Sequence, residues 1–360
     1  MRFIKGVIRS IFGFAFLIAC IFCFLYVIPI TEKADGTGMA DDAVWMSRLP
    51  DGKRLNEITL AGTHGSATKF VRLPYFFKCQ DLEIRSQLLA GFRYLDIGVG
   101  IEQGESGARL KLMNSFADCM MEALPNSEKR YLEDVLYQCY AFLDENPTET
   151  VIFAVSQQSR KDNAQAIGRL LYSYILQRPE KWLLTDTIPT LGDSRGKLVL
   201  MRRYPDAAGL GPAAGISFQW EEQSGGESTV LNTVAAENVT YRLNVQDRQG
   251  YPDENKWQAF VNGMAIGARD ISSGAVSLNV LSSKGSFFFG NPYQHAGKLN
   301  GCFRNRLDRS GIRGWLVFDF GEPYLAREVY LANRDLSDEP LVRSILNENE
   351  HTENNAGASP

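Results

Sequence analysis

The sequence predicts an α/β fold, a TIM-type (β/α)8 barrel preceded by one N-terminal transmembrane helix. Three observations carry that prediction. Short apolar runs alternate with longer amphipathic stretches, the pattern of parallel βαβ units. The runs number about eight, which suits a barrel better than an open sheet. The chain has 360 residues, and one such barrel takes about 250, leaving room for termini and insertions.

The N-terminal helix rests on charge and length. Arg2, Lys5 and Arg9 precede an uncharged apolar run from Ile11 to Ile30, and Glu32, Lys33, Asp35, Asp41 and Asp42 follow it. At a rise of ~1.5 Å per residue, roughly twenty residues reach about 30 Å, enough to span a bilayer core. With the positive flank leading, the short N-terminus is expected to stay cytoplasmic and the rest to cross. A cleaved signal peptide would have an apolar region of about 7–15 residues and a small-residue cleavage site. The stretch Leu25-Tyr26-Val27-Ile28-Pro29-Ile30 stays apolar and offers none. Leu17-Ile18-Ala19-Cys20 has the form of a lipoprotein processing box, but the apolar run continues past it. The expected organisation is therefore an anchor over 1–30, a polar linker over 31–50, a barrel over 51–335 and a tail over 336–360. From Asn347 the tail is rich in Asn, Glu, Ser and Gly and is expected to be disordered.

Strands are expected at Glu57–Ala61, Tyr94–Val99, Leu110–Met113, Val151–Val155, Leu198–Met201, Tyr241–Val245, Val276–Val280 and Trp315–Phe318. Helices are expected at Ile84–Ala90, Leu132–Glu145, Asn163–Leu176, Asn255–Ala265 and Leu325–Ala332. The second of these places Leu132, Val135, Leu136, Cys139 and Phe142 at the three-and-four spacing of an amphipathic helix, and Pro147 stops it. Val151–Val155 is apolar at every position, as a strand buried on both faces requires.

The net charge of −4 argues against nucleic acid as a partner, since phosphate binding needs a basic surface. Cys20 and Cys23 fall in the apolar run; Cys79, Cys119, Cys139 and Cys302 fall in the barrel. An exported domain permits disulfides, and four cysteines allow three full pairings. No paired Cys-x-x-Cys set occurs, so zinc is not expected from spacing. Asn238-Val239-Thr240 is a glycosylation sequon, meaningful only in a eukaryotic secretory route.

Six segments, in order, resemble the catalytic domain of bacterial-type phosphatidylinositol-specific phospholipase C, the X-domain family. They are Leu60-Ala61-Gly62-Thr63-His64-Gly65-Ser66; Gln87 to Ile97, with Arg93-Tyr94-Leu95-Asp96; Leu132 to Ile152, with Asn146-Pro147-Thr148-Glu149-Thr150 between helix and strand; Asp193 to Tyr204; Asn244-Val245-Gln246-Asp247; and Gly314 to Phe320. Together they span roughly residues 52–335. The resemblance implies a distorted, incompletely closed barrel whose active site lies at the C-terminal ends of the strands. His64, Asp96, Arg203, Asp247 and Asp319 each fall at or near such an end.

The resemblance also implies a reaction. The inositol 2-hydroxyl attacks phosphorus, diacylglycerol leaves and a cyclic inositol phosphate forms. His64 matches the general base and Asp319 the carboxylate that orients it, so the two are expected to be hydrogen-bonded neighbours. Arg203 and Asp247 match inositol-contacting positions. Three parts are missing. Asn114 stands where the second histidine, the general acid, is expected, and an amide supplies no proton near neutral pH. Gly65 replaces an aspartate, and Gly98 replaces the phosphate-binding arginine. Arg109, Lys111 and Arg202 are the candidates for the missing positive charge. Some relatives use calcium, which needs oxygen ligands. Those positions hold Gly65, Asp96, Gly98 and Ser156, a single carboxylate, so neither calcium nor another cofactor is expected.

The expected partners are a phospholipid or inositol-phosphate headgroup and a membrane, with the barrel of a single-pass protein on the extracytoplasmic side. Three functions remain open, and the pocket distinguishes them. An active phosphodiesterase needs a basic group within reach of His64. A silent binding barrel needs an open polar pocket with Arg203 and Asp247 facing inward. A protein-binding scaffold predicts a blocked pocket. Restoring Gly65→Asp, Gly98→Arg and Asn114→His together is expected to recover some turnover.

Overall fold

The computed structural model describes residues 2–22, 40–105, 107–124, 126–220, 223, 231–234, 242–270, 274–284, 291–306 and 308–333. Among these, the strands are β1 (Leu60–Thr63), β2 (Tyr94–Gly104), β3 (Gly107–Asn114), β4 (Ala117–Asp118), β5 (Val151–Gln157), β6 (Trp182–Leu183), β7 (Leu198–Arg203), β8 (Ile216–Ser217), β9 (Leu231–Val234), β10 (Arg242–Gln246), β11 (Val276–Leu281) and β12 (Trp315–Phe318). The helices are α1 (Arg2–Phe22), α2 (Pro74–Phe77), α3 (Ile84–Leu89), α4 (Leu132–Glu145), α5 (Ala164–Ile175), α6 (Leu191–Ser194), α7 (Asp253–Asp270), α8 (Pro292–Arg306) and α9 (Pro323–Tyr330).

The strands join in one sheet in the order β6-β7-β5-β2-β1-β12-β11-β10-β9. From β7 to β10 every neighbouring pair is parallel. Along this order β9, at the end, runs antiparallel to its neighbour. Among the described residues no pairing connects the β9 end back to β7, so the barrel is not closed by backbone hydrogen bonds. It is closed by side chains. Leu60, Tyr94, Ile152, Val199, Leu243, Val276 and Trp315, from seven strands, share one buried interior cluster. The outward residues of the same strands meet the helices. In β5, Ile152 and Ala154 point into the barrel, while Val151, Phe153 and Val155 lie under α4 and α5. That double burial accounts for the unbroken apolar run, each large side chain contributing on the order of 1.5–3 kcal/mol on leaving water.

One expected barrel strand has another role. Leu110–Met113 belongs to β3, which turns back antiparallel on β2. The cause is the length of β2, whose 11 residues run beyond the barrel rim and need a partner there. The turn closes where Gly104 pairs with Gly107, and Gly107 adopts φ +115, which favours glycine.

The expected linker also needs correction in its second half. Residues 40–48 form a short helical segment with Asp42, Ala43, Trp45 and Met46 buried. The Asp42 carboxylate accepts from Arg327 at 3.1 and 2.6 Å and from the Tyr330 hydroxyl at 2.5 Å. Trp45 stacks on Tyr330 and donates to Gly91 O. Met46 N donates to Glu149, and Glu149 in turn holds Arg93, both side chains fully buried. Asp42, which falls inside the expected linker, is a buried ion-pair partner.

In α1 the side chains of Ile11, Phe12, Phe14, Phe16, Leu17, Ile18 and Ile21 are exposed. Among the described residues no helix is long and apolar enough to cross a membrane, so the expected span is not found there. Residues 23–30 of the expected run lie outside the described residues, as do the Asn238 sequon and the tail from 336. The described cysteines, Cys20, Cys79, Cys119, Cys139 and Cys302, are free thiols.

Candidate active site

The register of β1 and β12 builds the centre of the site. Thr63 pairs with Phe318, so the next residues, His64 and Asp319, emerge side by side at the strand ends. His64 Nδ1 lies 2.8 Å from Asp319 Oδ1 and 3.2 Å from Ser282 Oγ, just past β11. Nε2 faces the other way, 3.4 Å from Gln249 Nε2 and 3.9 Å from Asp96 Oδ2. Burial works to lower the His64 pKa, but the Asp319 charge and hydrogen bond outweigh it and hold the pKa well above the usual imidazole range. The buried amide of Gln80 ties both strand ends together, donating to His64 O at 2.9 Å and Phe318 O at 2.8 Å and accepting from Gly321 N.

A second group sits across the same cavity. The Arg203 guanidinium, at the end of β7, stacks on Trp220 at 3.5 Å and lies 4.0 Å from Asp247 Oδ2. Trp220 Nε1 donates to the same carboxylate oxygen at 3.1 Å. Burial alone would raise the Asp247 pKa; Arg203, Lys256 and His64 overcome it and hold the group below its ordinary value. Lys256 is wholly buried, donating to Gln246 Oε1 at 3.0 Å. Its burial lowers its pKa to about 7, against the pull of Asp247 and Asp319. His64, Asp96, Asn114, Arg203, Asp247 and Asp319 all line one open cavity of about 540 Å³.

The missing parts are missing in different ways. Asn114 is at the cavity wall, but its Nδ2 donates to Phe77 O at 2.8 Å and meets Cys79 Sγ at 3.4 Å, so that donor is turned toward α2. Gly65 has φ +51, and a Cβ there would meet Cys79 Cβ at 3.3 Å. Gly98 admits no side chain: a Cβ there would lie 2.2 Å from Met113 O on β3 and 2.7 Å from Gln158 Cγ. The expected rescue by Gly65→Asp, Gly98→Arg and Asn114→His is therefore sterically blocked at its middle step.

The candidate replacement cations are elsewhere. Arg109 pairs with Glu133 and stacks on Tyr131. Lys111 pairs with Asp118 at 2.7 Å and lies 3.5 Å from Glu102. Arg202 is buried and donates to Tyr204 O. The cations that do line the cavity are Arg160, Arg203 and Lys284. At the calcium positions, Gly65, Asp96, Gly98 and Ser156 offer one carboxylate, and Ser156 Oγ accepts from Gln158; this set does not fit calcium. Sequence reasoning missed Gln80, Trp220, Gln249, Lys256 and Ser282, which no spacing connects to His64.

The chain is thus a largely parallel β/α barrel with an imidazole–carboxylate pair at the ends of two adjacent strands, β1 and β12. No model of a known protein family matches the chain. It is 26% identical over 291 residues to the 1-phosphatidylinositol phosphodiesterase of Staphylococcus aureus strain Newman, covering 77% of this chain and 87% of that one. It is 26% identical over 207 residues to the enzyme of the same name from Listeria monocytogenes, covering 51% and 59%. A crystal structure of phosphatidylinositol-specific phospholipase C from Staphylococcus aureus shares the fold with a TM-score of 0.67 at 23% identity, over 82% of this chain and 98% of that one. The Listeria monocytogenes phospholipase C structure does so with a TM-score of 0.59 at 21% identity, over 81% and 99%. The chain thus resembles the bacterial phosphatidylinositol-specific phospholipases C in sequence and shares their fold.

Proposed function

We propose that this protein is a membrane-tethered, phospholipase C-like barrel that binds the inositol-phosphate headgroup of a phosphatidylinositol-class ligand and turns it over slowly. The observation that carries this is the shared cavity: the Arg203–Trp220–Asp247 group and the His64–Asp319 pair face the same open polar space. A cation, an aromatic face and a carboxylate suit a polyhydroxylated, phosphorylated ring. An open pocket favours ligand binding over a purely protein-binding scaffold.

His64 Nε2 is the atom positioned to take the hydroxyl proton, while Asp319 holds Nδ1. Attack on phosphorus then needs charge stabilisation and a proton for the leaving alkoxide. Gly98 supplies no charge and Asn114 supplies no proton. Loss of a general acid alone lowers rates by about 10²–10⁴, and loss of electrostatic stabilisation by a similar factor. Tethering is supported by the basic residues ahead of the apolar run and by its exposed side chains in α1. The same charge asymmetry supports a barrel on the extracytoplasmic side.

The test is full-length protein in detergent, offered phosphatidylinositol vesicles or phosphatidylcholine vesicles. Saturable binding to the former only, lost in Arg203→Ala, is expected, with cyclic inositol phosphate release that is slow and absent in His64→Ala. Equal binding to both vesicle types sinks the headgroup assignment. Release at the rate of the bacterial enzymes sinks the assignment of a disabled chemical step.

A further inference from the structure

Beside the His64–Asp319 pair lies a buried thiol, Cys79, that the phosphodiesterase chemistry does not use. Cys79 Sγ, a nitrogen of His64 and a carboxylate oxygen of Asp319 lie within 4.8 Å of one another. Cys79 and Asp319 are almost wholly buried, at 2% and 1% exposed. Asp319 Oδ2 is buried with no hydrogen-bond partner. An unsatisfied buried carboxylate oxygen is expensive and calls for a donor or an ion. The other groups facing the thiol are Asn114 Nδ2 at 3.4 Å and Phe77 O at 3.7 Å, neither a competing charge. All three candidate ligands line the 540 Å³ cavity, which gives an ion a route in and room for a water.

We propose that His64, Cys79 and Asp319 form a binding site for a borderline-soft divalent cation of the Zn²⁺ type. One sulfur, one nitrogen and one oxygen donor with an open fourth position is a set zinc accepts, and thiolate and imidazole select it over Ca²⁺ or Mg²⁺. Tetrahedral bonds of about 2.0–2.3 Å place ligands about 3.5 Å apart, so closure needs separations to shrink by at most about 1.3 Å. On binding, the Cys79 S–H bond breaks, a metal–sulfur bond forms and the proton leaves to solvent. The imidazolium Nδ1–H bond also breaks as Nδ1 takes the metal; that proton leaves to solvent and Nε2 keeps its own. On the reading of His64 as base, an occupied site has no lone pair facing the pocket, so the ion inhibits. Sequence spacing gave no zinc motif because the ligands sit at positions 64, 79 and 319.

The test uses Co²⁺ on the full-length protein in detergent, with absorption rather than turnover as the readout. The expected result is saturable uptake of one ion per chain, a near-ultraviolet thiolate-to-cobalt charge-transfer band, visible bands of four-coordinate cobalt, and displacement by Zn²⁺ but not Ca²⁺. Cys79→Ser loses the charge-transfer band, while Cys302→Ser keeps it. Asp319→Asn weakens binding about tenfold or more, the scale on which even outer-shell partners matter, and stands in should Cys79→Ser fail to fold. A band that survives in Cys79→Ser, Co²⁺ affinity unchanged in Asp319→Asn, or no saturable uptake at millimolar cobalt overturns the proposal. Because the readout is spectroscopic, it stands or falls independently of headgroup binding.

Discussion

Gly98→Ala adds one methyl group where the sequence resemblance implies a phosphate-binding arginine. Its Cβ would lie 2.2 Å from Met113 O. The closest ordinary carbon–oxygen approach is about 3.3 Å, so β3 must retreat by about 1 Å. That retreat works against the pairing of Val99 with Leu112, one residue along. Overpacking of a filled site costs about 1–3 kcal/mol, occasionally more. Here the obstacle is backbone and cannot rotate away, which places the effect near about 3 kcal/mol. For a domain of this size that is a fall in Tm of about 6 °C or more. Gly297→Ala, in α8 with nothing within 4 Å of its Cβ, is the control and should be neutral or stabilising by up to about 1 kcal/mol. The assay is thermal melting followed by circular dichroism, with Gly98→Arg assayed alongside for cyclic inositol phosphate release. If Gly98→Ala melts with the parent, or Gly98→Arg gains activity, the steric argument is wrong.

Three more outcomes are expected. Because Asp319 raises the His64 pKa, the pair's stabilisation is full below the unfolded value of about 6.5 and fades as pH rises through the folded value. Asp319→Asn should therefore lower the urea midpoint more at about pH 5.5 than at alkaline pH beyond the folded value; equal losses across the range would count against the pair. Lys256, with its pKa lowered to about 7 by burial, makes stability rise with pH from about 7 toward 10. That slope should flatten in Lys256→Met, measured by denaturant titration across the range. Arg93→Ala leaves Glu149 as a buried unpaired charge and should cost about 3–5 kcal/mol in chemical denaturation.

The sheet was legible where periodicity and burial coincide. In α4 the expected bounds Leu132–Glu145 are the observed ones, because one apolar stripe and the Asn146-Pro147 stop act locally. The adjacency of His64 and Asp319 was legible because both follow neighbouring strands in fixed register. The Leu110–Met113 arm was not, since an antiparallel strand on β2 and a parallel barrel strand have the same alternation of side chains. Asp42 fell within the expected linker because its partners, Arg327 and Tyr330, are nearly 290 residues away. Gly98 read as a lost arginine; only the approach of Met113 O makes it a position where no side chain fits.

The docked segment at 40–48 also determines where the chain joins the barrel. Its partners Gly91, Glu149 and Arg195 each precede a strand, so the junction lies at the pole where strands begin. The cavity lies at the pole where they end. Nine residues, 31–39, separate the expected anchor over 1–30 from this segment, and nine residues span at most about 30 Å. The seven residues of β5 alone measure about 23 Å. On the proposed tether, a barrel joined at that pole would turn its mouth away from its own bilayer and toward whatever lies opposite. A headgroup on a facing membrane, or free in the space between, then meets the cavity directly, while a lipid beside the anchor is reached only when the barrel lies on its side. Phosphatidylinositol supplied in separate vesicles should accordingly engage the tethered protein better than the same lipid placed in the tether's own membrane.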